Sequence, residues 1–368
     1  MKISCSKEEL LNGIQAVYST TTLKSTLPIL SNILLETRKG SLRMTATDLD
    51  IGIIHDVGVK IEVEGAITVP AKRFFDIVKE LPQHNEISLA AKKNNTISIE
   101  CENMFFKLIG LPKEEFPKLP DFKEKDSISI SQAVLKKMLS TTAFAISYDQ
   151  TRYVLNGVLF VIGPKNLRMV ATDGRRLAMA EKEVTLTKEL EKSPKKIILP
   201  AKAVSELTRT LGNDGDVKIT ISENQAQFNM GLTTVISRLV EGEFPNYEQV
   251  IPKEIKDKVK VNRDNFLLAV RRANILTSQE SQAIKLELSK DKMVISKTTP
   301  ELGESREELA VDYKGPQLVV GFNPNYLIDV LKNSDGPEIA FELVSGEKPG
   351  VIRTDGGYVY VVLPMQIS

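Results

Sequence analysis

The segment LRMTATD at residues 42–48 returns as LRMVATD at 167–173, with only Thr45 exchanged for Val170. From Asp48 to Asp173 the offset is 125 residues. A near-identical segment at a long offset marks a structural unit used more than once, and it limits the fold more than any single motif can. VPAKRFFDIVKELP at 69–82 is echoed by LPAKAVSELTRTLG at 199–212, with Pro70, Ala71 and Lys72 answering to Pro200, Ala201 and Lys202. EEFPKLPDF at 114–122 is echoed by GEFPNYEQV at 242–250. A fainter third copy follows, in which GFNPNYLIDVLKNSD sets Asp329 opposite Glu206 and Asp76. The chain therefore reads as three copies of one α+β unit, each running helix, strands, helix, strands. The boundaries expected are 1–125, 126–255 and 256–368.

Patterning places the elements. Ser6 followed by Glu9 reads as a capping box, and Leu10, Leu11, Ile14, Val17 and Tyr18 follow helical spacing. LPILSNILLE at 27–36 is an apolar run suited to a buried strand, and SLRMTATD is the next strand. Pro70 can open a helix, because the N–H it lacks would be unpaired there. Phe74, Ile77, Val78 and Leu81 make that helix's apolar stripe. KEEFPKLPDFKEKD at 113–126 reads as a linker. In the second copy SQAVLKKMLSTTAFAIS is a helix with Val134, Met138, Thr142 and Ile146 on one side, and YVLNGVLFVI is a strand. In the third, DNFLLAVRRANIL is a helix.

Composition narrows the function. With 49 basic and 48 acidic residues, a nucleic-acid role requires charge segregated onto one surface. The two cysteines, Cys5 and Cys101, show no paired spacing and suit a reducing cytosol. MKISCSKEELL lacks a signal-peptide core, and no apolar run is long enough to cross a membrane. A cytoplasmic protein is expected. His55 and His84 are read as surface or strand residues rather than ligands.

Nucleotide-binding glycine motifs, HExxH, CxxC and GxSxG do not occur. Asp48 and Asp50 can be read as metal carboxylates or as a strand-end turn. Asp173 can be read as an acid or base, or as a turn aspartate bonding its own backbone. What recurs is basic residues on helices: Lys72 and Arg73, Lys136 and Lys137, Lys202 and Arg209, Arg271 and Arg272, and Lys332. Singly these are solvated faces. Together, on repeated units, they could form one surface that contacts phosphates without reading bases.

TLPILSNILLE, LRMTATDLD, VPAKRFFDI, RYVLNG, VATDGRRLA, the two FP linkers, GFNPNYLIDVL and YVVLPM, in this order, resemble the bacterial DNA sliding-clamp family, the beta subunits of DNA polymerase III. The resemblance covers all three copies. It implies two subunits joined head to tail in a closed ring, helices inside and sheets outside, around duplex DNA. It implies no catalysis and no cofactor or metal. Its partners would be double-stranded DNA, the replicative polymerase, the clamp loader and other proteins bearing a clamp-binding peptide.

Carried over residue by residue, the resemblance implies a peptide pocket of Leu155, Thr172, Gly174, Arg175, Arg176, Leu177, Pro245, Val250, Asn323, Tyr326, Val361, Leu363, Pro364 and Met365. Apolar walls with a few orienting polar groups suit an extended peptide, and methionine adapts to varied partners. DNA contacts would come from Lys24, Arg73, Lys136, Lys137, Gln150, Arg152, Tyr153, Lys202 and Arg209. The subunit contact would use Phe106 and Leu108 with Ile275 and Leu276, and Lys107 could face Glu301 or Glu304. The chain departs from the family pattern at Arg175, where histidine is frequent, at Ser281, where a larger apolar residue can stand, and at the ending Gln366, Ile367 and Ser368. Two other readings compete: a hydrolase using Asp48, Asp50 and Asp173, and a monomeric peptide-binding scaffold.

Overall fold

The computed structural model describes residues 1–21, 27–83, 85–122, 127–186, 195–253, 258–300, 302–354 and 356–367. One meander recurs in it three times. In the first copy, strands Asn32–Arg38, Ser41–Thr47 and Ile51–Gly58 run antiparallel. Strand Ala66–Pro70 then returns to pair with the first of these and passes directly into a helix. The second copy repeats this with Gly157–Ile162, Asn166–Thr172, Arg176–Glu183 and Lys195–Pro200. The third uses Ile284–Ser289, Lys292–Thr299, Gly303–Ala310 and Leu318–Phe322. Register is conserved to the residue: Arg43 faces Asp56 as Arg168 faces Glu181, and Thr47 faces Gly52 as Thr172 faces Leu177.

Among the described residues, two helices belong to each copy. They are α1 (Lys7–Tyr18) and α2 (Ala71–Glu80), α3 (Gln132–Thr142) and α4 (Ala201–Thr210), α5 (Arg263–Asn274) and α6 (Pro324–Asn333). The N-cap half of the capping box on α1 forms, and the return contact from Glu9 goes to the Ser6 hydroxyl rather than to its backbone N–H. Ser6 Oγ accepts from the Glu9 N–H at 3.2 Å and donates to the Glu9 carboxylate at 2.7 Å, an arrangement that contributes about 1 kcal/mol. Leu10, Ile14 and Val17 on α1, and Phe74 and Val78 on α2, are buried.

The strand before each copy's first helix pairs antiparallel with the strand after its second: Lys2–Ser6 with Glu86–Ala91, Ser127–Ser131 with Asp216–Ile221, and Lys258–Asn262 with Glu338–Glu342. Sheets also run on from one copy to the next. Ile51–Gly58 pairs with Thr233–Arg238 inside a nine-stranded sheet, and Arg176–Glu183 pairs with Tyr358–Val362 inside an eight-stranded one. The described residues accordingly pack as two compact units, one chiefly Met1–Ala133 with Ser205–Leu239, the other chiefly Val134–Thr185 with Val240–Ser368. No described helix is long and apolar enough to cross a membrane.

Three sequence expectations change. Within LPILSNILLE, Pro28–Ser31 is a 3-10 turn and the strand starts at Asn32. Pro28 cannot donate to a ladder, and Ser31 Oγ closes the turn on the Pro28 carbonyl at 2.7 Å. Within YVLNGVLFVI, a 3-10 turn over Gln150–Leu155 precedes the strand. The third helix stops at Thr142, so Ile146 lies outside it. There Thr141 and Thr142 hydroxyls bond back to the carbonyls of Lys137 and Met138, which competes with a regular helix. The linker is also anchored: Phe116 is buried against Ile29 and Leu30.

Candidate functional site

The turn Thr172–Arg176 organises the site. Thr172 Oγ1 donates to the Arg176 carbonyl at 2.6 Å and accepts from the Gly174 N–H at 3.1 Å. Asp173 Oδ1 accepts from the N–H groups of Arg175 and Arg176 at 2.9 and 3.0 Å. Gly174 takes φ +87°, a left-handed conformation suited to glycine. The first copy builds the same turn. Thr47 bonds Ile51 and Leu49, and Asp48 Oδ1 accepts from Asp50 and Ile51. The turn reading of Asp48 and Asp173 is the one the geometry bears out. Among the described residues no group of three His, Cys, Asp or Glu could hold a metal.

Arg176 ties this turn to the third copy. Its Nε and Nη1 donate to Asp173 at 3.1 Å and Asp329 at 2.6 Å, and its Nη2 donates to the Phe144 carbonyl at 2.6 Å. The guanidinium lies 4.5 Å from the centre of the Tyr326 ring, and Tyr360 Oη donates to the Tyr326 carbonyl at 2.9 Å. Burial is the largest single influence on the Arg176 pKa and lowers it, but Tyr360, Asp329 and Asp173 together hold it above its ordinary value. Arg176 is thus a brace inside the site, most of its donors being used within the protein.

Next to the brace lies an apolar floor. Leu177 pairs in register with Val361, and both belong to a buried cluster with Leu159, Val170, Tyr247 and Val351. Leu155 is buried at the end of its 3-10 turn. Above the floor, Val250 and Leu363 are 50% and 40% exposed, Pro245 is exposed, and Pro364, Met365 and Tyr326 are half-buried. The tail is pinned at two points: Leu363 N–H donates to the Arg175 carbonyl at 2.9 Å and Met365 N–H to the Gly321 carbonyl at 2.8 Å. Asn323 caps α6 by accepting from Asn325 N–H, and its amide reaches Gln282 at 3.4 Å. Arg175 is exposed on the turn. Sequence reasoning missed a hollow of about 420 Å³ beside the tail, which Pro364 and Met365 share with Val319, Gly346, Glu347, Gln366 and Ile367. Gly321 was the available signal: a Cβ there would lie 2.5 Å from the Met365 carbonyl.

The expected DNA-contact residues divide between the units. In the first, Arg73 is exposed on α2, and Arg209 on α4 bonds Glu206 at 2.8 Å and Ser19 at 2.6 Å. In the second, Lys137 bonds Asp335 at 2.6 Å and the Asn333 carbonyl at 3.3 Å, a favourable place for a cation at the end of α6. Lys136 is half-buried and Lys202 exposed. Gln150, Arg152 and Tyr153 stand exposed on one 3-10 turn, with Arg152 Nη1 beside Gly174. Exposed ion pairs of this kind are weak. Lys24 lies outside the described residues, as do His84 and Glu301.

Among the terminal strands of the four described sheets, Met104–Ile109 and Gly303–Ala310 stand out. Met104–Ile109 closes a five-stranded sheet, with Phe105, Phe106 and Ile109 63%, 38% and 73% exposed; Leu108 is half-buried and Lys107 exposed. Gly303–Ala310 closes a four-stranded sheet. Arg272 on α5 bonds Glu307 of that strand at 2.5 Å, Ile275 just beyond α5 is 75% exposed, and Leu276 is half-buried. Alternation alone did not identify Gly303–Ala310 as an edge.

Three copies of one unit, sheets continuous from copy to copy and a preformed apolar patch under a pinned tail define a tandem three-repeat α+β protein with a surface binding site. The chain belongs to the DNA polymerase III beta subunit family: its N-terminal, central and C-terminal domains match at residues 1–120, 129–246 and 248–366. It is 33% identical over 371 residues to the beta sliding clamp of Escherichia coli (strain K12), covering all of both chains. It is 31% identical to that of Chlamydia pneumoniae, covering all of this chain and 99% of the relative. The sliding clamp of Bartonella birtlesii bound to griselimycin superposes with a TM-score of 0.93 at 35% identity, and the sliding clamp of Bacillus subtilis with 0.95 at 30%, each covering both chains fully.

Proposed function

We propose that this protein is a DNA sliding clamp, a non-catalytic processivity factor that encircles duplex DNA and tethers the replicative polymerase, the clamp loader and other DNA-processing partners. It works in the cytoplasm. Its three domains are 1–125, 126–255 and 256–368. The observation that carries the reading is the exposed apolar edge strand Met104–Ile109 in the first copy, with the edge strand Gly303–Ala310 in the third as its counterpart. An exposed edge bearing Phe105, Phe106 and Ile109 is a template for pairing with another chain. Joining the first edge of one chain to the last of another, twice, closes a ring of six domains. Phe106 and Leu108 would meet Ile275 and Leu276 in that contact, with Lys107 near Glu304 on its rim.

Inside the ring, Arg73, Lys136, Lys137, Arg152, Lys202 and Arg209 would meet phosphates, with Lys24, Gln150 and Tyr153 from loops. Contacts to phosphate without base readout let a protein slide. Retention is then topological. The floor of Leu155, Leu177 and Val361, walled by Pro245, Val250, Leu363, Pro364 and Met365, receives the partner's peptide. Thr172, Gly174 and Arg175 line its turn side, and Arg176, Asn323 and Tyr326 hold its shape. Griselimycin, bound by the Bartonella birtlesii clamp, is expected to compete with such a peptide here.

The test loads the protein onto nicked circular DNA with a clamp loader and then linearises it. Protein retained on the circle in moderate salt and lost on cutting supports a ring. Equal loss from circle and line overturns it.

A further inference from the structure

The two meanders of the first and second copies share register, so each shows what the other lacks. In the second copy, Arg168 bonds Glu181 at 2.7 Å, and its Nη1 donates to Tyr247 Oη and to Glu248, each at 3.0 Å. Both acceptors come from the segment FPNYEQV, whose Tyr247 is buried on the sheet. In the first copy, Arg43 holds the place of Arg168 and bonds Asp56 through Nε and Nη2 at 3.0 and 2.9 Å. The matching segment is FPKLP, residues 116–120, with Leu119 in the place of Tyr247 and Pro120 in that of Glu248. Neither side chain offers an acceptor. Leu119 instead leans over Gly52, which has the register place of Leu177; a Cβ on Gly52 would lie 2.7 Å from it.

Arg43 is therefore left with Nη1 donors that no described residue accepts, on a side chain 35% exposed. It lines a hollow of about 420 Å³ with Leu34, Ile54 and Phe116 among its apolar walls, within the size range of ligand sites. The rim mixes charges: Glu36, the register partner of Arg43, stands 3.6 Å from Arg38, and Lys113, Lys118, Glu114 and Asp121 complete it, so selection rests on the direction of the free Arg43 Nη1 donors rather than on a basic field. We infer that this face of the first copy is a second docking groove, which takes an extended segment of another protein bearing an apolar side chain followed by a glutamate. The glutamate would complete Arg43 as Glu248 completes Arg168, and a charge-assisted pair of this kind is both strong and directional.

The probe is a labelled heptapeptide of the sequence FPNYEQV, titrated by fluorescence anisotropy into the full-length protein. Saturable binding in roughly the micromolar to sub-millimolar range is expected. Replacing the peptide's glutamate by glutamine, or Arg43→Gln in the protein, should weaken it about ten-fold or more. The double variant Leu119→Tyr with Pro120→Glu builds the second copy's arrangement in the first copy and, with an unchanged melting temperature as the check on folding, should abolish binding. Leu177→Ala, on the other patch, should leave it unchanged. Four outcomes overturn the inference: no saturable binding, indifference to the peptide's carboxylate, loss of binding in Leu177→Ala, or a native mass altered by the double variant, which would make a second copy of this chain the occupant.

Discussion

Leu49 and Gly174 occupy the same place in the same turn, and only one of them suits it. Leu49 takes φ +79° with a Cβ, and its side chain is 43% exposed. A left-handed residue costs about 1–2 kcal/mol, partly offset by the backbone entropy glycine loses on folding. Leu49→Gly should therefore stabilise the protein by about 0.5–1 kcal/mol, read from a urea midpoint; an unchanged or lower midpoint would mean that Leu49 contributes packing. His55 bonds Thr233 at 2.8 Å across the join between the first and second copies. Burial holds its imidazole below the usual range, against the pull of Asp56. The unfolded chain takes up a proton near pH 6.5 that the native state refuses. Stability falls as pH drops through that value and levels off below the native pKa. His55→Asn should flatten this part of a melting-temperature profile between pH 7 and 5; an equal slope excludes His55. At the site, Leu177→Ala should weaken a glutamine-first peptide ending in leucine–phenylalanine about ten-fold or more, since the truncation opens a cavity in the floor. Undiminished affinity would move the peptide elsewhere.

Edges decide assembly at the level of elements. Phe106→Asp places a charge on the open strand Met104–Ile109, and a charge there blocks edge pairing. Native mass at micromolar concentration should fall from two chains to one, with the melting of each chain little changed because Phe106 is already partly exposed. A variant that remains a pair would place the subunit contact on other strands. Much of this level was legible in the sequence. The two LRM segments and the PAK helices are local patterns, and each forms the same element in its copy, whereas the FP segments differ, with a 3-10 turn before Phe116 in the first copy and one after Asn246 in the second. Pro28–Ser31 and residues 153–155 were misread as strand because apolar runs look alike in short turns and in strands. The pairing of Ile51–Gly58 with Thr233–Arg238 was hidden, since alternation names a strand's faces but not its neighbour. The same holds for Arg176, whose partner Asp329 is 153 residues away.

For the whole molecule, the repeats are counted differently by sequence and by packing. Identity between segments gives three copies, while contact density gives two compact units, with the middle copy shared between them. The division follows from the two continuous sheets, each of which takes strands from neighbouring copies. The site draws on the same arrangement. Leu177 comes from the second copy and Val361 from the third, yet they are partners in one ladder, so the floor is as rigid as the sheet that contains it.

That ladder, Arg176–Ala180 against Tyr358–Val362, has a further consequence. The second and third copies are fastened to each other by a sheet as well as by the peptide chain that leads through Pro252. A backbone cut after Pro252 would leave both fragments clasped, much as a zipped seam holds once its thread is snipped. The polypeptide's continuity at that point serves synthesis and first encounter more than endurance, and a gene divided there should still yield two pieces that find each other and rebuild the patch.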